Sequence, residues 1–320
     1  MKEKSSNVQI IRALCIIAVV SIHTCPSGQI GIILRPFLNF CVSIFIFLSG
    51  YLTKIPIENN SQFIKRRTLR IIFPYIIWSV IYTIIYNDYN NFILKFLTAR
   101  CCGIYYYLFV YIQLVLITPI IVSMINKQHK YLIYSITPIF ILILYILNIS
   151  GYQVPFPLNA IFCPMWISYY AMGLMIGNKK NTIQLSLRSS LILYFIGIFL
   201  QLIEGELWNY FNNYNMATTQ IRLSNFITNI GIIFIISNLI NKEFKFNKTI
   251  HKILVTLGDY SFGIYLTHMI LVSILNKILN NIIDISFPIT TISILIIEYF
   301  GISICYKIFN DKILKTIGLK

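Results

Sequence analysis

The amino-acid sequence predicts an all-α, polytopic membrane protein with about ten transmembrane helices. Hydrophobic residues make up 57% of the chain and charged residues only 11%, and the mean hydropathy is +0.75. Such a chain of 320 residues has too little polar surface to cover a soluble globule. Long apolar runs recur throughout, and they lack the short alternating pattern of a membrane barrel. The basic residues are concentrated in alternate loops, which is typical of a multi-pass membrane protein.

Ten runs have about the length that spans a bilayer. They cover residues 8–25, 31–52, 71–87, 104–125, 131–149, 160–177, 189–203, 221–241, 258–276 and 287–309. The seventh run is short, and a turn containing Gly151, Pro155 and Pro157 separates the fifth from the sixth, so nine or eleven helices are alternatives. Because composition marks no soluble appendage and no internal repeat, we expect residues 1–320 to form a single integral-membrane domain.

The distribution of basic residues predicts the orientation. If the N-terminus is cytoplasmic, all but six of the 26 Lys and Arg residues fall in inside segments. The six exceptions lie in outside segments (Lys95, Arg100, Lys277) or within or at the edge of helices (Arg12, Arg35, Arg222). This bias predicts ten spans with both termini in the cytoplasm. The net charge of +16 is then a topology signal that attracts anionic lipid headgroups, and we expect no nucleic-acid partner.

Arg12 and His23 are the first candidates for a functional site. They stand eleven residues apart in the first run, so they share one helix face and lie about 16 Å apart along it. Ionisable side chains inside a bilayer are costly, and by default they mark a functional site. The alternative is structural: Arg12 extends to the interface and His23 bonds a neighbouring helix.

Other polar residues occur late in the chain. Glu298 is the only carboxylate well inside a predicted helix, and it needs a cationic or hydrogen-bonding partner. It is expected either to orient His23 or to pair with Arg12. Tyr265 and His268 follow Ser261 at helical spacing and face the same way. They either line a cavity with His23 or form a hydrogen-bonded seam between helices.

Two further features lie in the first half of the chain. Tyr106 belongs to a run of three tyrosines at the outer start of the fourth helix, which is either an interfacial belt or a platform that stacks on a sugar. Arg67 and Arg70 stand three apart on one face at the inner start of the third helix, among other basic residues. They either form a two-pronged cradle for phosphates or only anchor the helix end. The seven cysteines show neither a disulfide framework nor metal-ligand spacing, so no metal is expected.

Five stretches in a fixed order resemble the acyltransferase 3 family, the membrane-bound O-acyltransferases of bacterial surface polysaccharides. They are Arg12 with His23, FIFLSGYL at 45–52, KRRTLRIIFPYIIW at 65–78, YYYLFVYIQLVLITPII at 105–121 and LGDYSFGIYLTH at 257–268. The resemblance covers nearly the whole chain.

The resemblance implies an O-acyltransferase, with an O-acetyltransferase expected, in the bacterial cytoplasmic membrane. The donor is then cytoplasmic acyl-CoA, with acetyl-CoA expected, and the acceptor is a hydroxyl of a polysaccharide or glycolipid. It implies that His23 acts as general base or carries the acyl group, and that Arg12 holds the donor or stabilises the oxyanion. Arg67 and Arg70 match an Arg-x-x-Arg of the family and are expected to bind the phosphates of CoA. The alternative is a transporter or flippase for a glycan or small polar solute.

Overall fold

The computed structural model describes residues 6–127, 129–180, 184–242, 246–278 and 287–320. Within these ranges the protein is helical, with no β-strand. The helices are α1 (Ser6–Thr24), α2 (Gly28–Leu38), α3 (Cys41–Tyr51), α4 (Asn60–Ile85), α5 (Phe92–Leu97), α6 (Tyr106–Asn126), α7 (Lys130–Ile149), α8 (Ile167–Gly177), α9 (Leu187–Tyr210), α10 (Tyr214–Thr218), α11 (Leu223–Leu239), α12 (Lys248–Ile278), α13 (Ile289–Ile308) and α14 (Asp311–Thr316). The predicted fold class is confirmed.

In the part of the chain that the structure describes, nine helical segments are long and apolar enough to cross a membrane. One of them, Gly28–Tyr51, comprises α2 and α3 together. The shorter apolar helix α8 occupies the sixth place in the order. Each of the ten predicted runs therefore corresponds to a helical segment.

The prediction of a short seventh span is wrong, because α9 has 24 residues and it is α8 that is short, with 11. Polar side chains lower the hydropathy near the end of α9, but they have partners in the structure. The amide nitrogen of Gln201 donates to the Thr228 hydroxyl at 2.8 Å, and the backbone N–H of Ser224 donates to a Glu204 carboxylate oxygen at 3.2 Å. Carboxylates thus lie inside α9, and Glu298 is not the only one within a helix.

The chain forms two compact units. The second unit comprises Ile46–Ile183, where α8 packs against α6 and α7. Gly173 of α8 lies so close to the backbone carbonyl of Phe47 that a Cβ atom would overlap it. Small residues that allow such approach are the usual device of helix packing in membranes.

The first unit comprises the chain up to Phe45 and from Gln184 onward. Its most extensive helix contacts are α9 with α11 and α1 with α12, and α13 packs on both α1 and α12. Gly258 of α12 lies against the backbone of Gln9 in α1. Thus α1, α12 and α13 form a group of mutually packed helices.

A buried arginine holds the α9–α11 side of the first unit. Arg222, which precedes α11, is fully buried. Its guanidinium donates to the carbonyl of Ala217 at 2.7 Å, to the carbonyl of Gln201 at 3.3 Å and to the side-chain oxygen of Gln201 at 3.2 Å. These bonds offset the cost of burying the charge and tie Arg222 to α9 and α10.

Candidate functional site

The structure brings two histidines together in the first unit. His23 lies in the last turn of α1 and is partly exposed, whereas His268 lies in α12 and is fully buried. Their ring centroids are 5.3 Å apart and the ring planes are inclined by 48°. Since α1 packs along α12, the backbone contact of these two helices sets the distance between the imidazoles.

His268 is oriented by its own helix. Its Nδ1 lies 2.8 Å from the carbonyl oxygen of Ile264, one turn earlier. Because a carbonyl oxygen only accepts, Nδ1 must carry the proton and Nε2 the lone pair. The ring of Tyr265 lies 6.3 Å from the His268 ring. Both predicted residues of the SFGIYLTH stretch are therefore close to His23 or to its partner.

Glu298 lies on α13, the third helix of the group. It is buried in α13, and one carboxylate oxygen accepts a hydrogen bond from the Thr267 hydroxyl at 2.7 Å. Thr267 directly precedes His268. The carboxylate is therefore tied to the turn of α12 that carries the buried imidazole.

Arg12 lies three turns before His23 on α1 and is partly exposed. Its guanidinium Nη1 lies 3.4 Å from the side-chain oxygen of Gln9, and its charge also acts on the Cys15 thiol. These neighbours all belong to α1. Arg12 and His23 thus lie on the same helix, three turns apart.

Arg35 is a candidate that sequence reasoning missed. It lies in α2, and its charge acts on the His23 ring. A signal was present, because Arg35 interrupts an apolar run as Arg12 does. No pattern in the sequence, however, indicates that α2 turns this arginine toward the end of α1.

The second unit carries the other predicted residues. The Arg67 guanidinium lies over the Phe63 ring, 4.9 Å from its centroid, and its charge acts on the buried Tyr170. Arg70, one turn on, is exposed. Arg67 is therefore held against its own unit while Arg70 faces outward.

Tyr106 also belongs to the second unit and is largely covered. Its ring meets Phe156 edge-on with centroids 5.4 Å apart and lies 6.2 Å from Trp166. Phe156 itself is exposed. An approaching ligand therefore reaches Phe156 before Tyr106.

A groove of about 550 Å³ runs along the start of α4. It is lined by Ser61, Ile64, Lys65, Thr68, Leu69 and Leu116. The α4 residues of this lining repeat every three to four positions, so they share a face that differs from that of Arg67 and Arg70.

Comparison with known proteins identifies the family. The model of the acyltransferase 3 family, described as an acyltransferase domain, matches residues 6–306. No curated protein and no solved structure matches the chain. The matched range contains the clustered His23, His268 and Glu298 as well as the arginines of α4. The chain belongs to the acyltransferase 3 family and is a multi-pass membrane acyltransferase.

Proposed function

We propose that the protein is an O-acyltransferase of the bacterial cytoplasmic membrane. It transfers an acyl group, with acetyl as the expected one, from cytoplasmic acyl-CoA to a hydroxyl of a cell-envelope or exported polysaccharide or of a glycolipid. The observation that supports this reaction best is the imidazole pair of His23 and His268, with ring centroids 5.3 Å apart. Acyl transfer to a hydroxyl needs a base, and an imidazole serves that purpose near pH 7.

His23 is the catalytic residue in this proposal. It is the more exposed of the two histidines, so a substrate can reach it. The His23 imidazole takes the proton of the acceptor hydroxyl while the hydroxyl oxygen attacks the thioester carbonyl carbon. The carbon–sulfur bond then breaks, and the protonated imidazole returns the proton to the sulfur of CoA. Atoms and charge balance without a metal or a redox partner.

Arg12 and Glu298 assist His23 in this proposal. Arg12 supplies a cation and five N–H donors on the same face of α1 as His23, which suits the thioester oxygen or a polar group of the donor. Glu298 supports the site through its hydrogen bond with Thr267.

The donor contacts that we propose lie on α4. The phosphates of CoA are anionic, and a guanidinium binds phosphate through two parallel hydrogen bonds. Arg67 is stacked on Phe63, which reduces the conformational freedom that it would lose on binding. Arg70 presents an exposed guanidinium one turn away. The two arginines together form the proposed phosphate contact.

The acceptor contacts that we propose are aromatic and histidine side chains. Tyr265 and His268 line the region beside His23. In the second unit Tyr106 backs the exposed ring of Phe156, and an aromatic face of this kind stacks on sugar rings.

The test is an assay of purified protein in lipid nanodiscs with radiolabelled acetyl-CoA and an envelope-glycan extract. We expect wild type to label the glycan and release CoA, and we expect His23→Ala and Arg12→Ala to lose most of this activity. His129→Ala is the matched control, because His129 is exposed and distant in sequence from the pair. Folded wild-type protein that turns over no donor with any extract would contradict acyl transfer and favour the transporter.

A further inference from the structure

Among the described residues, one ring nitrogen of His268 has a hydrogen-bond partner and the other has none. Nδ1 donates to the Ile264 carbonyl at 2.8 Å, so the second nitrogen, Nε2, holds a lone pair. Nε2 is buried, and among the described residues it has no hydrogen-bond partner. A buried acceptor without a donor costs free energy, and a donor that arrives during function would remove this cost.

The ring of His23 neighbours the His268 ring. The two rings lie 5.3 Å apart between centroids and are tilted rather than stacked. A hydrogen bond to Nε2 therefore requires a rotation of the His23 side chain that points its ring N–H at this atom. Catalytic hydrogen bonds are often long or misaligned in a free enzyme and tighten when substrate binds.

The other polar groups near the pair differ from His268 in their partners, chemistry or distance. Glu298 of α13 is bonded to Thr267, and Arg35 of α2 offers only N–H donors. The Tyr265 ring of α12 lies farther away, 6.3 Å from His268. Among the described residues, His268 has a buried nitrogen without a hydrogen-bond partner on a ring that neighbours the imidazole of His23.

We propose that His268 is a positioning residue for His23, an inference that rests on the proposed function. Its Nε2 accepts a hydrogen bond from one N–H of His23 and thereby fixes the tautomer of the His23 ring. The other His23 nitrogen then carries the lone pair and faces the acceptor hydroxyl. The chain of bonds runs from His23 N–H to His268 Nε2 and from His268 Nδ1–H to the Ile264 carbonyl.

In this proposal each proton of the reaction moves between named atoms. The acceptor hydroxyl gives its proton to the free nitrogen of His23, which becomes an imidazolium. The N–H that faces His268 stays on His23 and its hydrogen bond strengthens, because the donor is now charged. When the thiolate of CoA leaves, it takes the first proton back. His268 itself is neither protonated nor consumed.

The first test uses nitrogen NMR of the full chain in nanodiscs, labelled with ¹⁵N-histidine. The chain has four histidines, and removing His129 and His251 by substitution with Gln leaves only the pair. We expect His268 to be protonated at Nδ1, the minor form of a free neutral imidazole, and we expect His23 to occupy one tautomer. A His268 ring protonated at Nε2 in wild type would overturn the proposal without any variant.

The second test compares two substitutions of His268 that both introduce a side-chain amide, but at different positions. His268→Asn places an amide near Nδ1 and leaves no acceptor at Nε2, whereas His268→Gln places an amide at the Nε2 position. We expect Asn to lower kcat by about 100-fold with KM little changed, and Gln to recover a large part of that loss. In the Asn variant the His23 resonances should show a mixture of tautomers.

The outcomes separate this proposal from the proposed function. Equal losses for Asn and Gln, with an unchanged His23 tautomer, would mean that His268 only packs, and the positioning role would be overturned. A wild-type protein without acyl transfer but with the expected tautomers would overturn the proposed function and leave the His23–His268 hydrogen bond in place. Size-exclusion profiles of both variants establish that each is folded.

Discussion

The hydroxyl groups of Thr24 and Thr291 lie 2.6 Å apart and join the end of α1 to the start of α13. Thr24 directly follows His23, so this bond fixes the last turn of α1 where the half-buried imidazole projects. Both threonines are buried, and a hydroxyl inside a bilayer has no water to replace a lost partner. The bond therefore restrains the turn of α1 that carries His23.

Replacing Thr291 by valine should weaken this restraint. The side chain keeps its shape while one hydroxyl is lost, and we expect the free energy of unfolding to fall by about 1 kcal/mol. Thr290→Val is the matched control, because the buried Thr290 hydroxyl has no hydrogen-bond partner among the described residues. Reversible unfolding in mixed micelles measures both. A loss as large for Thr290→Val as for Thr291→Val would contradict the assignment.

Substitution of Arg222 should be much more damaging. Arg222→Met removes three donated hydrogen bonds and leaves the carbonyl of Ala217 and the side chain of Gln201 without their donor. Removing one member of a buried polar network of this kind costs about 3 to 5 kcal/mol. Arg222→Lys should not rescue stability, since an ammonium cannot span three acceptors in a plane. Yield and thermal stability are the measurements, with the exposed Arg188 replaced by Met as the control. An unchanged melting temperature for Arg222→Met would show that the network is dispensable.

The arginines of α4 should affect donor binding and leave the chemical step largely intact. We expect Arg67→Ala to raise KM for acetyl-CoA about tenfold, which corresponds to about 1.4 kcal/mol for a lost charge-assisted contact. Arg70→Ala should have a similar effect. Lys65→Ala is the matched control, because Lys65 is exposed and lies in the same basic cluster but on another helix face. Equal effects of all three substitutions would indicate a general electrostatic contribution and no specific phosphate contact.

Cys102 should resist alkylation. Burial raises the pKa of the Cys102 thiol to about 12, and the neighbouring Cys101 also raises it. The thiolate is the reactive form, so at pH 8 almost no Cys102 is nucleophilic, and reactivity should grow only as the pH rises toward that pKa. Maleimide labelling of a variant that retains Cys102 alone measures this, with denatured protein as the positive control. Rapid labelling of the folded protein at pH 8 would contradict the burial.

The sequence predicted the helical segments well because a bilayer requires long apolar runs. It failed where polar residues have tertiary partners. Gln201 and Glu204 shorten the apolar run of α9, yet bonds with Thr228 and Ser224 keep them inside the helix. In the sixth span, the 3-10 turn Cys163–Met165 delays the start of α8 to Ile167.

Prediction from the sequence has the same limit at the candidate site. The run pattern places His23 and His268 on helices, but 245 positions separate them, and only the packing of α1 on α12 makes them neighbours. Which nitrogen of His268 is free depends on its bond with the Ile264 carbonyl. The buried state of Arg222 depends on three acceptors that no local pattern indicates.

Gly258 provides a test of the α1–α12 contact itself. A Cβ atom at this position would lie 2.6 Å from the carbonyl carbon of Gln9 and 2.9 Å from its Cα, so the two backbones would have to separate. We expect Gly258→Val to cost about 1 to 3 kcal/mol of stability through overpacking. We also expect it to abolish acyl transfer, because it moves the helix of His268 away from that of His23.

The matched control for Gly258 is Gly301 in α13, whose added Cβ would meet nothing within 4 Å. Gly301→Val should keep both stability and activity close to wild type. A milder change, Gly258→Ala, should retain the fold and still lengthen the distance between the two imidazoles, so its transfer rate should fall more than its melting temperature. If Gly258→Ala transfers acyl groups at the wild-type rate while its backbone contact is measurably wider, then catalysis does not depend on the spacing of His23 and His268.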